Sequence, residues 1–311
     1  MLELVENSPD RLPWLLTDSA FGPALVWSGN FASARIRLEH GYAFYDPKRP
    51  DQAIITDFGV ICLSYLAFTL WSLGFPDQAS IRVQESLVLA RRLGHVHSIG
   101  HALVSVALFN WFRRDLEGLK EYAEAAIAFS IEHELAFWEP MGTILNGCAL
   151  SERGEKERSS LEIERGLAAY RATGSELSLP MFLGGLIESY KKADRIEEAL
   201  GVMGTAFAVI DKGRFYEAEL FRHKGELLTM RNPSNIEEVK QSFRSAIEVA
   251  QHQSAKAWEL RATMSLARLL DKQGNRDEAR TMLSDIYGWF TEGFDTADLK
   301  DAKALLEELA D

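Results

Sequence analysis

A 40-residue period dominates the chain and limits what it can fold into. The segment GFPDQASIRVQESLVLARRLGH, beginning at Gly74, aligns with segments beginning at Arg114, Gly154, Asp194, Ser234 and Gly274, each 40 residues after the last. A first copy begins at Gly29, 45 residues ahead of the second, and the extra five residues fall around Pro47-Lys48-Arg49-Pro50. They read as a loop insertion. Self-similarity at such a spacing marks stacked units, none of which can bury its apolar face alone.

Two adjacent columns of the alignment say how the units pack. One holds Gly41, Ser86, Ala126, Gly166, Ala206, Ala246 and Ile286, nearly all small; the next holds Tyr42, Leu87, Ile127, Leu167, Phe207, Ile247 and Tyr287, all large and apolar. Small residues let two helices approach closely, and large ones fill the layer between units. Upstream of each turn runs a second stretch with apolar residues recurring at three and four, and Pro140 and Pro180, 40 apart, stand near its start, where proline is tolerated. No strand-like alternation appears.

The expected fold is therefore all-α: a right-handed α-solenoid of about seven helix pairs with a C-terminal capping helix, forming one superhelical domain over residues 1–311. The units are expected at approximately 10–50, 51–97, 98–137, 138–177, 178–217, 218–257 and 258–295, with the cap at 296–311. In the cap, Leu299, Ala302, Leu306 and Leu309 form an inner stripe. Pro13 and Pro23 are expected to interrupt the first helix.

Composition excludes several functions. With 46 Asp and Glu against 34 Lys and Arg the net charge is -12, so the chain has no global attraction for a phosphate backbone and no direct nucleic-acid partner is expected. Two cysteines, Cys62 and Cys148, are too few for a disulfide framework, and acids precede the short apolar stretch at the N-terminus, which lacks a secretory start. A cytoplasmic location follows. The uncharged run from Phe58 to Pro76 approaches membrane-span length, but Ser64, Thr69 and Ser72 interrupt it and similar runs recur in later units. It reads as the buried helix of a repeat, so no membrane partner is expected.

The helix-turn-helix unit, with small and large residues at fixed offsets, resembles the tetratricopeptide repeat, lengthened from 34 residues to 40. The C-terminal segment from Ala255 to Leu309, with EAELFRHKGELL from Glu217 and LSYLAFTLWSLGFPDQA from Leu63, resembles more narrowly the MalT-like C-terminal repeat region of large bacterial regulators, those that join a nucleotide cyclase or DNA-binding module to a signalling ATPase. The resemblance spans residues 20–311 and implies binding of a partner or signal and its relay. No G-x-x-x-x-G-K-[ST] phosphate loop, cyclase or winged-helix segment is present, so catalysis by those modules does not carry over.

Candidate chemistry is sparse. His95, His97 and His101 are the densest histidine group, but no Cys, Asp or Glu accompanies them, and neither H-E-x-x-H nor E-x-x-H occurs. No catalytic residue, metal site or cofactor is expected, and the chain is read as not an enzyme. Paired acids such as Glu197-Glu198 and Glu237-Glu238 fall in first helical turns, where they favour the helix dipole. Glu226 and Asn146 stand in a column otherwise filled by Leu66, Val106, Leu186 and Leu266, either hydrogen-bonded in the core or marking a polar site; Arg222 can pair with Glu226.

The register places an aromatic and apolar half of a concave groove at Phe68, Trp71, His101 and Trp111, and a basic half at Lys191, Lys224, Arg231, Arg261 and Arg268. Two readings of that stripe stay open. The basic groups either solvate the groove or pair with neighbouring acids, or they grip an acidic or carboxylate-ended protein or peptide partner. The function expected is a protein-interaction or sensor module of a bacterial signalling or regulatory system; the alternative is a receptor for a small ligand or signal peptide held inside the superhelix. Oligomeric state and partner identity are not legible.

Overall fold

The computed structural model describes residues 12–49 and 55–310. Fifteen α-helices lie among them: α1 (Leu12–Trp27), α2 (Phe31–Ala43), α3 (Phe58–Ser72), α4 (Pro76–Leu93), α5 (Val96–Phe112), α6 (Leu116–Glu132), α7 (Trp138–Glu152), α8 (Lys156–Ala172), α9 (Leu179–Lys192), α10 (Ile196–Ala208), α11 (Glu217–Arg231), α12 (Ile236–His252), α13 (Lys256–Lys272), α14 (Arg276–Tyr287) and α15 (Ala297–Glu308). The first fourteen form seven antiparallel pairs, and α15 covers the exposed end of the last pair. Among the described residues there is no β-strand, only a one-residue bridge at Asp57. Pro50, at the end of the expected insertion, lies outside the described residues. No described helix is long and apolar enough to cross a membrane.

Each unit has two turns, and most of these are locked by left-handed residues at recurring positions. Within units, Gly29, Gly74, Arg114, Gly154, Asp194 and Gly274 take positive φ; between units, Gly94, Glu134, Gly174, Ser254 and Gly293 do. A left-handed residue after a helix lets its amide satisfy a carbonyl of the last turn and reverses the chain, and glycine does this without strain. Between the fifth and sixth units two short 3₁₀ turns, Ile210–Lys212 and Arg214–Tyr216, replace such a residue, and the turn within the sixth unit does without one.

The small column behaves as its sequence implies, since Gly41, Ser86, Ala126, Gly166, Ala206, Ala246 and Ile286 are all buried. A Cβ on Gly166 would come within 3.0 Å of the Ile144 amide nitrogen and the Pro140 carbonyl oxygen, so the two helices of that unit touch backbone to backbone. Ala206 has no exposed surface. Replacing it with leucine is expected to overpack this joint by about 1–3 kcal/mol. Urea denaturation should show an earlier and broader transition, and an unchanged midpoint would contradict the packing role of the column.

Two details differ from expectation. The first helix runs unbroken from Leu12 to Trp27, with Pro13 in its first turn and Pro23 accommodated inside it. In the cap, Leu305 joins Leu299, Ala302 and Leu309 in the buried stripe, and Leu306 is only partly covered.

The largest departure concerns the concave side, because the superhelix closes on itself. Trp258 of α13 packs edge-on against Trp71 of α3 at 4.5 Å and lies beside Phe112, Phe215 and Tyr216. The seventh unit thus rests on the second and third, and the interior is filled by an aromatic hub.

Candidate functional site

Inside the ring lies a cavity of about 470 Å³. Its walls come from α5 to α7, α9, α11, α13 and the cap α15. On one side Trp111 and Tyr216 stack with centroids 5.7 Å apart and planes 18° from parallel. The rest is charged: six Lys or Arg and seven Asp or Glu side chains line it. Eight of these thirteen come from α9, α11 and α13, and the rest from the turn after α5, the end of α7 and the cap.

The cations and carboxylates are already paired with each other. Glu219, almost without exposed surface, takes a bidentate pair from Arg222, with Nε at 2.7 Å and Nη2 at 2.9 Å, and Arg261 lies 3.7 Å away. Burial alone would push the Glu219 carboxyl up, yet Arg222 and Arg261 together hold it below the usual range. Arg222 also pairs with Glu226 on the next turn of the same helix. Lys191 reaches across from α9 to Glu226 and contacts Glu188 on its own helix. Burial would raise Glu188, but Lys191 and His223 hold it at about 2. Arg261 completes the set with Asp298 at 2.7 Å and a bond to the Phe112 carbonyl.

Glu188, His223 and Glu226 offer ligand atoms within 4.8 Å of one another, the one such group among the described residues. The Lys191 ammonium sits among them, bonded to both carboxylates and 3.5 Å from His223 Nδ1, and so supplies the positive charge a metal ion would bring. His223 is buried, and desolvation together with Arg222 and Lys191 keeps its pKa below the ordinary value.

The closed ring sorts the residues expected to form the groove. Trp111, Lys191, Arg261 and Arg268 come together around the cavity. Phe68, Trp71 and His101 do not: they are buried at 4%, 3% and 7% exposure, Phe68 and Trp71 under the aromatic hub and the seventh unit, His101 between Tyr65 and Trp138. His101 is held neutral by that burial, its pKa lowered to about 4. Lys224 is half-buried outside the cavity, and Arg231 is exposed and paired with Glu197 at 3.1 Å. Arg268 is the cavity cation without an ion pair among the described residues.

His95 caps the N-terminus of α5 by accepting from the Ser98 amide. Cys62 and Cys148 are free and buried, and burial pushes both thiols well up.

Sequence reasoning reached the Arg222–Glu226 pair and the odd polarity of Glu226, but not Tyr216, Glu219, His223, Asp298 or Asp301. A signal existed for two of them. Glu219 and Arg222 stand three apart on one helical face, and His223 with Glu226 has the H-x-x-E spacing, the reverse of the pattern sought.

No family model matches the chain. A protein of Rhizobium meliloti (strain 1021), named only as uncharacterized, is 27% identical over 259 residues, covering 78% of this chain and 25% of that protein. The chain thus spans a quarter of that relative's length. Among solved structures, the apo form of RapI superposes with a TM-score of 0.55 at 11% identity, over 94% of this chain and 99% of that one. A Rap protein complexed with competence and sporulation factor gives 0.51 at 11% identity, over 95% and 97%. A tetratricopeptide repeat protein from Parabacteroides merdae gives 0.50 at 12% identity, over 96% and the whole of that chain. With seven antiparallel helix pairs in one register and these superpositions, the fold is a tetratricopeptide-like α-solenoid.

Proposed function

We propose that the chain is a non-catalytic sensor module of a bacterial regulatory system, and that it holds a short carboxylate-ended peptide inside the closed superhelix. The observation that carries this reading is the cavity. Its volume falls in the range of small-ligand sites, and it joins an aromatic wall at Trp111 and Tyr216 to a free guanidinium at Arg268. An extended protein segment fits less well, because the open groove it needs is filled by Trp71, Phe112 and Trp258. The balance of six cations and seven carboxylates disfavours a polyanion such as a nucleotide, whereas a zwitterionic peptide can exchange with existing ion pairs. The Rap protein of the same fold, complexed with a factor, is a parallel for a bound signal. The single superhelical domain over residues 1–311 would be the sensing part of a longer regulator, in keeping with the length of the Rhizobium relative.

The test is a thermal-shift measurement with an equimolar mixture of random tetrapeptides, once with free C-terminal carboxylates and once amidated. The free-acid mixture should raise the melting temperature, by mass action on the folded state, and the amidated one should not. Trp111→Ala and Arg268→Glu should each lower the response at least tenfold in concentration. Equal response to both mixtures would remove the role of Arg268, and no response to either would remove the peptide reading.

A further inference from the structure

The core is not continuous. One packed cluster runs from α1 through α11 and ends at Ala250 of α12 and Trp258 of α13. A second, separate cluster joins Leu228 and the N-terminal half of α12 to α13 from Leu260 onward, α14 and the cap. The boundary passes through α12 and α13, and the cavity lies along it, with Asn110 and Glu188 on one wall and Arg268 and Asp301 on the other. Ligand sites commonly sit between two packed bodies of this kind.

The two bodies also meet where Trp289 packs on Phe75 and polar contacts cross the ring. Glu292, in the turn between α14 and α15, accepts hydrogen bonds from the amides of Asp77 at 2.9 Å and Gln78 at 3.1 Å and from Gln78 Nε2 at 2.9 Å. Asp77 returns the contact, its carboxylate accepting from the Gly293 amide at 3.0 Å. Helix α4 has no side-chain cap of its own at Phe75, so Glu292 supplies the missing acceptor to the first turn of a helix more than 200 residues away. Gly293 has positive φ, and a Cβ there would stand 2.1 Å from Pro76 Cγ.

A second tie lies nearby. Arg114 takes the left-handed turn position where four other units carry glycine, and its guanidinium reaches Asp298 at 3.1 Å and Asp301 at 2.7 Å on the cap. An arginine at φ 61 bears a strain that glycine would not, and the contact across the ring is what the side chain gains there.

We propose that the second body, the N-terminal half of α12 with α13 from Leu260, α14 and the cap, is a hinged lid over the cavity, and that Glu292 is a clasp that helps to hold it shut. The proposal rests on the cavity being the ligand site, since the lid governs entry to it. The clasp contacts are partly exposed, so water replaces them readily when they part, whereas either apolar cluster stays packed. The hinge is the stretch of α12 and α13 shared between the two clusters, as in domain closure around a ligand.

The full chain with Ile81→Cys and Asp285→Cys, both on exposed helix positions, accepts two spin labels while Cys62 and Cys148 stay buried. Electron-electron distance measurement should give one narrow distribution. Adding Glu292→Ala should produce a second, longer population, and Glu292→Gln, which keeps an acceptor for the two amides, should restore most of the short one. Circular dichroism checks that helix content is unchanged; Gly293→Ala gives an independent opening variant should Glu292→Ala fold poorly. Dissociation of the free-acid tetrapeptide mixture should be at least tenfold faster from Glu292→Ala, a residue outside the cavity wall. A single short distance in both opening variants overturns the lid. Opening without faster dissociation overturns its control of the site. A wild-type chain that binds no peptide removes the proposed function and leaves the distance result to decide the lid.

Discussion

Arg222→Met is expected to cost about 3–5 kcal/mol of folding stability, among the largest losses any single polar substitution in this chain should produce. Glu219 has a side chain only 1% exposed and depends on the bidentate Arg222 for its compensating charge. Without it the carboxylate either stays charged and unpaired in the interior or takes up a proton, and both outcomes favour unfolding. Arg261, 3.7 Å away and already engaged with Asp298, compensates only in part. Lysine at 222 should recover little, because one ammonium cannot serve both carboxylate oxygens of Glu219 and reach Glu226. The double replacement Glu219→Leu with Arg222→Met should be milder than the single one, since it removes the orphaned charge. Urea denaturation at neutral pH measures all three, and a single-variant loss under about 1 kcal/mol would mean that water reaches Glu219.

The second large effect belongs to the aromatic hub. Trp258 is fully buried and touches rings from the second and third units and from the joint between the fifth and sixth, so Trp258→Ala should cost about 3–5 kcal/mol. Its indole N–H has no hydrogen-bond partner among the described residues, so Trp258→Phe, which keeps most of the ring volume, should lose much less. A merely local role would leave the shape of the molecule unchanged. Because this ring closes the solenoid, the alanine variant should also show a larger radius of gyration by small-angle X-ray scattering; an unchanged radius would assign closure to the polar contacts alone.

The groove expected from the register and the cavity observed differ for one reason that these two residues illustrate. An inward-facing column is an exposed surface only if the superhelix stays open. Phe68 and Trp71 do face inward, but Trp258 and Phe112 cover them, and the partner that occupies the groove is the chain itself. The basic stripe met the same fate in part: Lys191 and Arg261 point inward as the column implies, and acids from neighbouring helices meet them there. Only Arg268 keeps an unpaired cation at the cavity among them.

The sequence by itself determined what depends on neighbours in the chain. The 40-residue period carries the helix pairs, the left-handed turn positions and the buried column of small residues, because capping, turn reversal and helix-to-helix approach within a unit are settled by residues a few turns apart. Only the tertiary structure decided the ring and the cavity. Closure is the sum of small rotations between successive units, altered once at the 3₁₀ joint of residues 210–216, and no single unit encodes that sum. The contacts it creates, Arg114 with Asp298 and Glu292 with Asp77, lie about 200 residues apart, where no periodicity relates one partner to the other.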